Sequence, residues 1–209
     1  MPTRPGGRTA RTRRAVLEAT VAELAAHGYG ALTVERVAVR AGVHKTTLYR
    51  RWGGKQGLVA EAVEGFAAGA AEVPDSGRVE EDLRRWARSI VAMLTARDSG
   101  AVVRALLSTG ETPETRDLRR RFYRTRSALV VPIVERAVER GELPPGTDAA
   151  EVIKQVGAPL YYRFLVIAEP LTPAAADLAA GAAVAAARAG VFVRGRTGGD
   201  RPDGSLGGP

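Results

Sequence analysis

The chain has 209 residues, 45% apolar and 5% aromatic, with no cysteine and only two histidines, His27 and His44. Disulfides and thiolate metal sites are thereby excluded, and two histidines are too few for a histidine-based zinc centre. The whole net charge of +8 resides in residues 1–55, which hold 11 Lys/Arg against 3 Asp/Glu, whereas the rest of the chain holds 20 of each. A basic module on a neutral body is the electrostatic footprint of a nucleic-acid binder, or else of a basic solubilising tail. The longest apolar run, Leu178 to Ala187, is far short of the ~20 residues that span a membrane. Arg11, Arg13 and Arg14 interrupt any leader-like start. The reading is a soluble, cytoplasmic, nucleoid-associated protein without membrane contact.

Ala/Leu/Arg/Glu-rich stretches without sustained Val/Ile/Thr alternation predict an all-α fold. Residues 1–8 are Pro/Gly/Arg-rich and read as a disordered basic arm. A first helix is expected from about Thr9 to His27, with Leu17, Val21 and Leu24 as its apolar stripe and Gly28 and Gly30 as its stop. Thr33 has the character of an N-cap for a second helix carrying Val34, Val37, Ala38 and Ala41 inward, ended by Gly42. A third helix covers about Lys45 to Trp52, with Leu48 and Trp52 facing in, and breaks at Gly53-Gly54. A fourth, about residues 55–72, points Leu58, Ala62 and Phe66 toward the body.

Pro74-Asp75-Ser76-Gly77 marks a turn between an N-terminal domain of residues 9–55 and a second domain of residues 75–192. Val79, Leu83, Trp86, Ile90 and Leu94 then repeat at helical spacing, and a shorter apolar helix surrounds Val102 to Leu107. Thr112-Pro113 opens a long helix with Leu118, Phe122, Leu129, Ile133 and Ala137 on one side and Pro132 inside it. Asp148 has the place of a cap for a helix running to about Ala168 through Pro159. Thr172-Pro173 starts a last, Ala-rich helix that ends near Gly190. Residues 193–209 read as a disordered tail.

Residues 33–52 carry the functional signal. Two short helices meet at a glycine turn, and the second shows His44, Lys45, Thr46, Thr47, Tyr49 and Arg50 to solvent. An ordinary surface helix mixes charge signs; this one has no acidic residue, as suits a helix lying near phosphates. The pattern Leu32-Thr33-Val34, Ala38, Ala41-Gly42-Val43, Lys45, Thr47-Leu48-Tyr49-Arg50, Trp52, Lys55 and Leu58-Val59 resembles the DNA-binding domain of the TetR family of transcriptional regulators. Two further stretches, Arg136 to Pro144 and Pro159 to Leu165, resemble a C-terminal subgroup of the same family.

The resemblance implies an N-terminal three-helix helix-turn-helix domain followed by a helical ligand-binding and dimerisation domain. The protein would be a homodimeric repressor released from a palindromic double-stranded DNA operator by a small-molecule effector, with no catalysis and no cofactor. His44, Lys45 and Thr46 are the candidates for base contacts, and Thr47 and Tyr49 for phosphates. Thr33 serves as a helix cap, a phosphate contact or both. Lys55 matches a phosphate-contacting lysine. Arg50 either meets DNA or forms a surface ion pair. Arg4, Arg8, Arg11, Arg13 and Arg14 form an arm that enters a minor groove or adds non-specific affinity. His27 reads as a helix-end residue.

In the C-terminal domain, Trp86, Met93, Leu106, Phe122, Tyr123, Arg126, Tyr162 and Phe164 are the candidate effector contacts. Each is equally plain core, and Arg126 and Arg163 suit an anionic effector or a salt bridge. The last two long helices are the expected dimer four-helix bundle. Three rivals stand beside this reading. An enzyme lacks any catalytic constellation here. A non-specific nucleoid-type binder explains the basic N-terminus but not the neutral body. An activator shares every feature above.

Overall fold

The structure, a computed structural model, describes residues 6–69, 73–107 and 112–194. Among these residues it is all-α, with one isolated β-bridge between Thr147 and Val193. The helices are α1 (Gly6–Ala31), α2 (Val34–Ala41), α3 (Lys45–Trp52), α4 (Lys55–Ala68), α5 (Val79–Thr95), α6 (Arg97–Leu107), α7 (Pro113–Glu139), α8 (Ala149–Leu165) and α9 (Pro173–Arg188). Helices α1–α4 form the N-terminal unit. Its α1 packs on α6 and its α4 on α7, while α5, α8 and α9 complete the body.

α1 departs from expectation at both ends. It begins at Gly6, so Arg11, Arg13 and Arg14 stand on a helix and not on an arm. The side chains of Arg4 and Arg8 lie outside the described residues. Gly28 does break the helix, at φ 70 and ψ 172, but one more turn follows to Ala31. Its core face is Val16, Ala19, Thr20, Glu23 and Leu24, with Leu17 and Val21 only half-buried. The reason is that α1 packs against α2, α4 and α6, and Leu17 and Val21 line an open cavity shared with α4 and α6. No single stripe describes such a helix.

The helix-turn-helix closes on its apolar stripe. Val34, Val37, Ala38 and Leu48 are buried, and Ala41, Val43 and Trp52 pack half-buried against them. Thr33 Oγ1 accepts the Arg36 N–H at 3.2 Å, capping α2. Gly42 ends α2 at φ 65, a left-handed conformation that a residue with a Cβ resists. Two carboxylates then lock the unit. Glu23, 5% exposed, accepts from Arg36 Nε at 3.0 Å and lies 3.1 Å from Arg40 Nε, tying α1 to α2. Glu61 of α4 accepts from Trp52 Nε1 at 2.7 Å and from Arg13 Nε at 2.6 Å, tying α3 and α1 to α4. Charge-assisted bonds of this kind are the stronger ones.

In the body, the α5 residues Val79, Leu83, Trp86, Ile90 and Leu94 are all buried, as their spacing requires. The 74–78 turn is held by Ser76 N–H donating to Asp82 at 2.8 Å and by Arg136 donating to the Pro74 carbonyl at 3.1 Å. α7 starts on a Thr112/Thr115 capping box and runs through Pro132. Its inward positions are Leu118, Phe122, Arg126, Val130, Ile133 and Ala137, while Leu129 is half-buried. α4 is described to Ala68, and residues 70–72 of the expected fourth helix lie outside the described residues. Val193 and Arg194, expected in a disordered tail, are instead bonded to the loop before α8. Arg194 N–H donates to the Gly146 carbonyl at 3.1 Å and Arg194 Nε to Asp148 at 2.9 Å. Residues 195–209 lie outside the described residues.

Candidate nucleic-acid interface

The N-terminus of α3 is organised by its own cap. His44 Nδ1 accepts the Thr46 N–H at 3.4 Å and lies 2.8 Å from Thr46 Oγ1. A neutral imidazole whose Nδ1 accepts carries its proton on Nε2, which leaves an N–H donor for a base edge or phosphate. Lys45, Thr46, Tyr49 and Arg50 are exposed and Thr47 is half-buried, while Leu48 anchors the helix from inside at 1% exposure. Among the described residues, neither Lys45 nor Arg50 forms an ion pair, so the surface-pair alternative for Arg50 is absent. Arg51 lies against Trp52, its guanidinium carbon 5.2 Å from the ring centroid.

Two expected contacts are engaged inside the protein. The Tyr49 hydroxyl donates to Glu35 of α2 at 3.3 Å, and that neighbouring carboxylate pushes the exposed phenol's pKa up. The acid-free surface is therefore a property of α3 alone. Lys55 Nζ donates to the Gly30 carbonyl at 3.1 Å and sits 4.4 Å over the Tyr29 ring, and desolvation lowers its pKa. Lys55 thus seals the junction of α1 and α4 in this structure. Arg13 pairs with Glu61 of α4 and Arg14 with Glu18 of α1, so both are engaged within the protein.

The effector candidates divide by position. Trp86, Leu106 and Phe122 are core side chains, Met93, Tyr123 and Phe164 are half-buried, and Arg126 is 6% exposed. Tyr162 is 53% exposed and stands apart from them, on the outer face of α8. Arg163 pairs with Glu169. The sequence reading missed Tyr161, whose ring meets Tyr123 edge-on at 5.1 Å, as Tyr123 in turn meets Phe122 at 5.3 Å. Helical phase carried that signal. Tyr161 lies four residues after buried Gly157, whereas Tyr162 lies four after exposed Ala158.

A family model described as "Tetracyclin repressor-like, C-terminal domain" matches residues 73–195, and one described as "Bacterial regulatory proteins, tetR family" matches residues 16–62. The chain belongs to the TetR family. It is 30% identical to the uncharacterised HTH-type transcriptional regulator YdeS of Bacillus subtilis over 74% of this chain and 79% of YdeS. It is similar to the solved TetR family transcription regulator SCO0332, at 30% identity and a TM-score of 0.64, covering 83% of this chain and 97% of that one. SmeT, described as the repressor of a Stenotrophomonas maltophilia multidrug efflux pump and solved with triclosan, shares the fold at 17% identity and a TM-score of 0.60, with 92% of this chain and 99% of SmeT covered. This TetR-family protein is thus a DNA-binding transcriptional regulator, from a family of regulators and not of enzymes. Among the described residues, no helix is long and apolar enough to cross a membrane.

Proposed function

We propose that this regulator is a homodimeric repressor that holds a palindromic operator through α3 and is released by a small-molecule effector bound in the α5–α8 body. The observation that carries the reading is the exposed face of α3. It is cationic, has no carboxylate of its own, is capped by His44 and is held by the Trp52 bond to Glu61. A pre-organised helix N-terminus of this kind reads base edges in a major groove. His44, Lys45 and Thr46 are assigned to bases, and Thr47, Tyr49, Arg50 and Thr33 to phosphates. Lys55 reaches a phosphate by exchanging its bond to Gly30. We assign residues 9–55 to operator binding and residues 75–192 to effector binding and dimerisation.

The dimer surface proposed is the outer face of α8 and α9. Tyr162, Val166 and Leu178 are exposed there, flanked by Ala158, Ala182 and Ala185, small residues that let a partner's backbone approach. An exposed apolar patch of this kind marks an interaction site. A dimer fixes the separation of two α3 helices, which must meet successive major grooves ~34 Å apart. An effector that favours a different separation lowers operator affinity by its preference between the two states. SmeT, a repressor solved in a complex with triclosan, shares this fold.

The test is selection of random duplex DNA by the purified protein at physiological salt, followed by sequencing. A palindromic consensus supports the reading and locates the bases facing His44, Lys45 and Thr46. No enriched motif overturns it, because binding that depends on phosphates alone carries no sequence information.

A further inference from the structure

Three side-chain atoms among the described residues are buried without a hydrogen-bond partner, namely Asp82 Oδ2, Arg136 Nε and Arg126 Nη1. The first two belong to the 74–78 turn, where Asp82 already accepts from Ser76 and Arg136 donates to Pro74. Arg126 is different. It occupies an inward position of α7, is 6% exposed, and has no carboxylate partner among the described residues. A buried guanidinium without a counter-ion is strongly unfavourable, so a fold that keeps one gains something from it. Its surroundings are aromatic. The guanidinium carbon lies 5.9 Å from the Phe122 ring centroid, and Tyr161 and Tyr123 meet edge-on at 5.1 Å beside it.

Neither phenol supplies the missing anion. Burial pushes both Tyr123 and Tyr161 up from the usual phenol value, with Arg126 only partly offsetting it, so both stay protonated near neutrality. Tyr123, Tyr161 and Phe164 are themselves only half-buried, and solvent reaches this junction of α6, α7 and α8. A second cation stands over it, Arg104, whose guanidinium carbon lies 4.3 Å from the Phe164 centroid.

We propose that this junction binds an aromatic carboxylate, its carboxylate paired with Arg126 and its ring lodged among Tyr123, Tyr161 and Phe164. The inference rests on the effector reading above and names the chemical class of the effector. A guanidinium offers two parallel N–H donors to one carboxylate, and flat rings pack edge-on or offset against the tyrosines.

The experiment uses the full chain and two matched probes, 2-naphthoate and its neutral amide 2-naphthamide, each at millimolar concentration. Thermal denaturation and calorimetric titration read binding, and operator binding is followed in parallel. The expected result is that 2-naphthoate raises Tm and binds at least about tenfold more tightly than the amide, the scale of a charge-assisted pair. Arg126→Met is expected to abolish that preference and Arg126→Lys to weaken it. Equal binding of acid and amide overturns the proposal, as does a 2-naphthoate shift that survives in Arg126→Met or no shift at all in the wild type. The acid–amide comparison needs no variant, so a poorly folded Arg126→Met does not leave the question open. Binding of 2-naphthoate through Arg126 with no change in operator affinity supports this site while overturning effector release. Operator release by the amide as readily as by the acid does the reverse.

Discussion

Phe66 of α4 stacks on Phe122 of α7, ring centroids 6.3 Å apart and planes 18° from parallel. Phe122 in turn meets Tyr123, and Glu61, one turn before Phe66 on α4, holds Trp52 of α3. An aromatic line therefore runs from the junction beside Arg126 to the helix that carries the DNA-binding face. Packed interfaces of this kind adopt discrete arrangements, and under the proposed effector control the Phe66–Phe122 contact is the candidate link between the body and α3. Phe122 is fully buried, so Phe122→Ala is expected to lower stability by about 3–5 kcal/mol, and half-buried Phe66→Ala by about half as much. A double-mutant cycle by urea denaturation should return a coupling of about 0.5–1.5 kcal/mol. Strict additivity would show that the two rings are independent neighbours.

Lys45 and Arg50 are the α3 cations without an internal partner. Arg50→Ala, at a phosphate contact, should weaken binding to specific and random DNA alike and flatten the slope of log affinity against log salt by about one unit, whereas Lys45→Ala, at a base contact, should also relax the selected sequence at the position it faces. Salt titrations of operator binding decide this. An unchanged slope in Arg50→Ala removes that residue from the phosphate contacts.

His44 has two separable duties. Its Nδ1 caps α3, and the side chain is exposed. His44→Ala should cost about 0.5–2 kcal/mol through loss of the cap. His44→Ser restores an oxygen that can cap, so its stability should return to near wild type while the selected DNA consensus changes. A consensus identical for wild type and His44→Ser would confine His44 to capping.

These cases show what the sequence made legible. The α5 stripe reads correctly because one face of that helix meets the core at a period of 3.6 residues. The exposure of His44, Lys45, Thr46, Tyr49 and Arg50 is legible because α3 is short and anchored from inside by Leu48, whereas Thr47 is half-buried. α1 misleads because Leu17 and Val21 line an open cavity completed by α4 and by α6, elements far along the chain, and so stay half-buried. Glu23 reads as a solvated charge until Arg36 and Arg40 close over it from α2. Tyr161 and Tyr162 look alike as neighbours, and only the phase set by Gly157 and Leu160 turns one inward. Lys55 matches a family pattern in type and spacing, yet its bond to Gly30 depends on the extra helical turn after Gly28.

Asp177 of α9 receives both donors of Arg88 of α5, Nε and Nη2, at 2.7 Å each. The Arg88 hydrogen bond, with added charge from Arg84, holds the Asp177 carboxyl below its usual range. A depressed folded pKa contributes stability above the unfolded value of about 3.9, and that contribution is lost as pH falls through the lower folded value. Asp177→Asn should therefore have a lower Tm than wild type at neutral pH. The gap should hold down to about pH 4 and close only below it. A gap that closes between pH 7 and pH 5 would trace the effect to another group.

The outer face of α8 and α9 gives the last prediction. Val166 and Leu178 are 67% and 66% exposed, and Tyr162 is 53% exposed, so none of the three supports the fold of a single protomer much. Replacing one by a charge should leave the protomer folded while placing that charge in a buried dimer interface, where an unpaired charge is strongly disfavoured. Leu178→Glu is the sharpest choice, because Gly181 beside it has open space within 4 Å and a partner helix can approach closely there. The expected outcome in sedimentation velocity is a shift from dimer to monomer with unchanged helical content by circular dichroism. Operator affinity should fall with it, because a monomer engages one half-site and loses the joint binding of two linked reading heads. A Leu178→Glu protein that sediments as a dimer and binds operator like wild type would place the interface on another face.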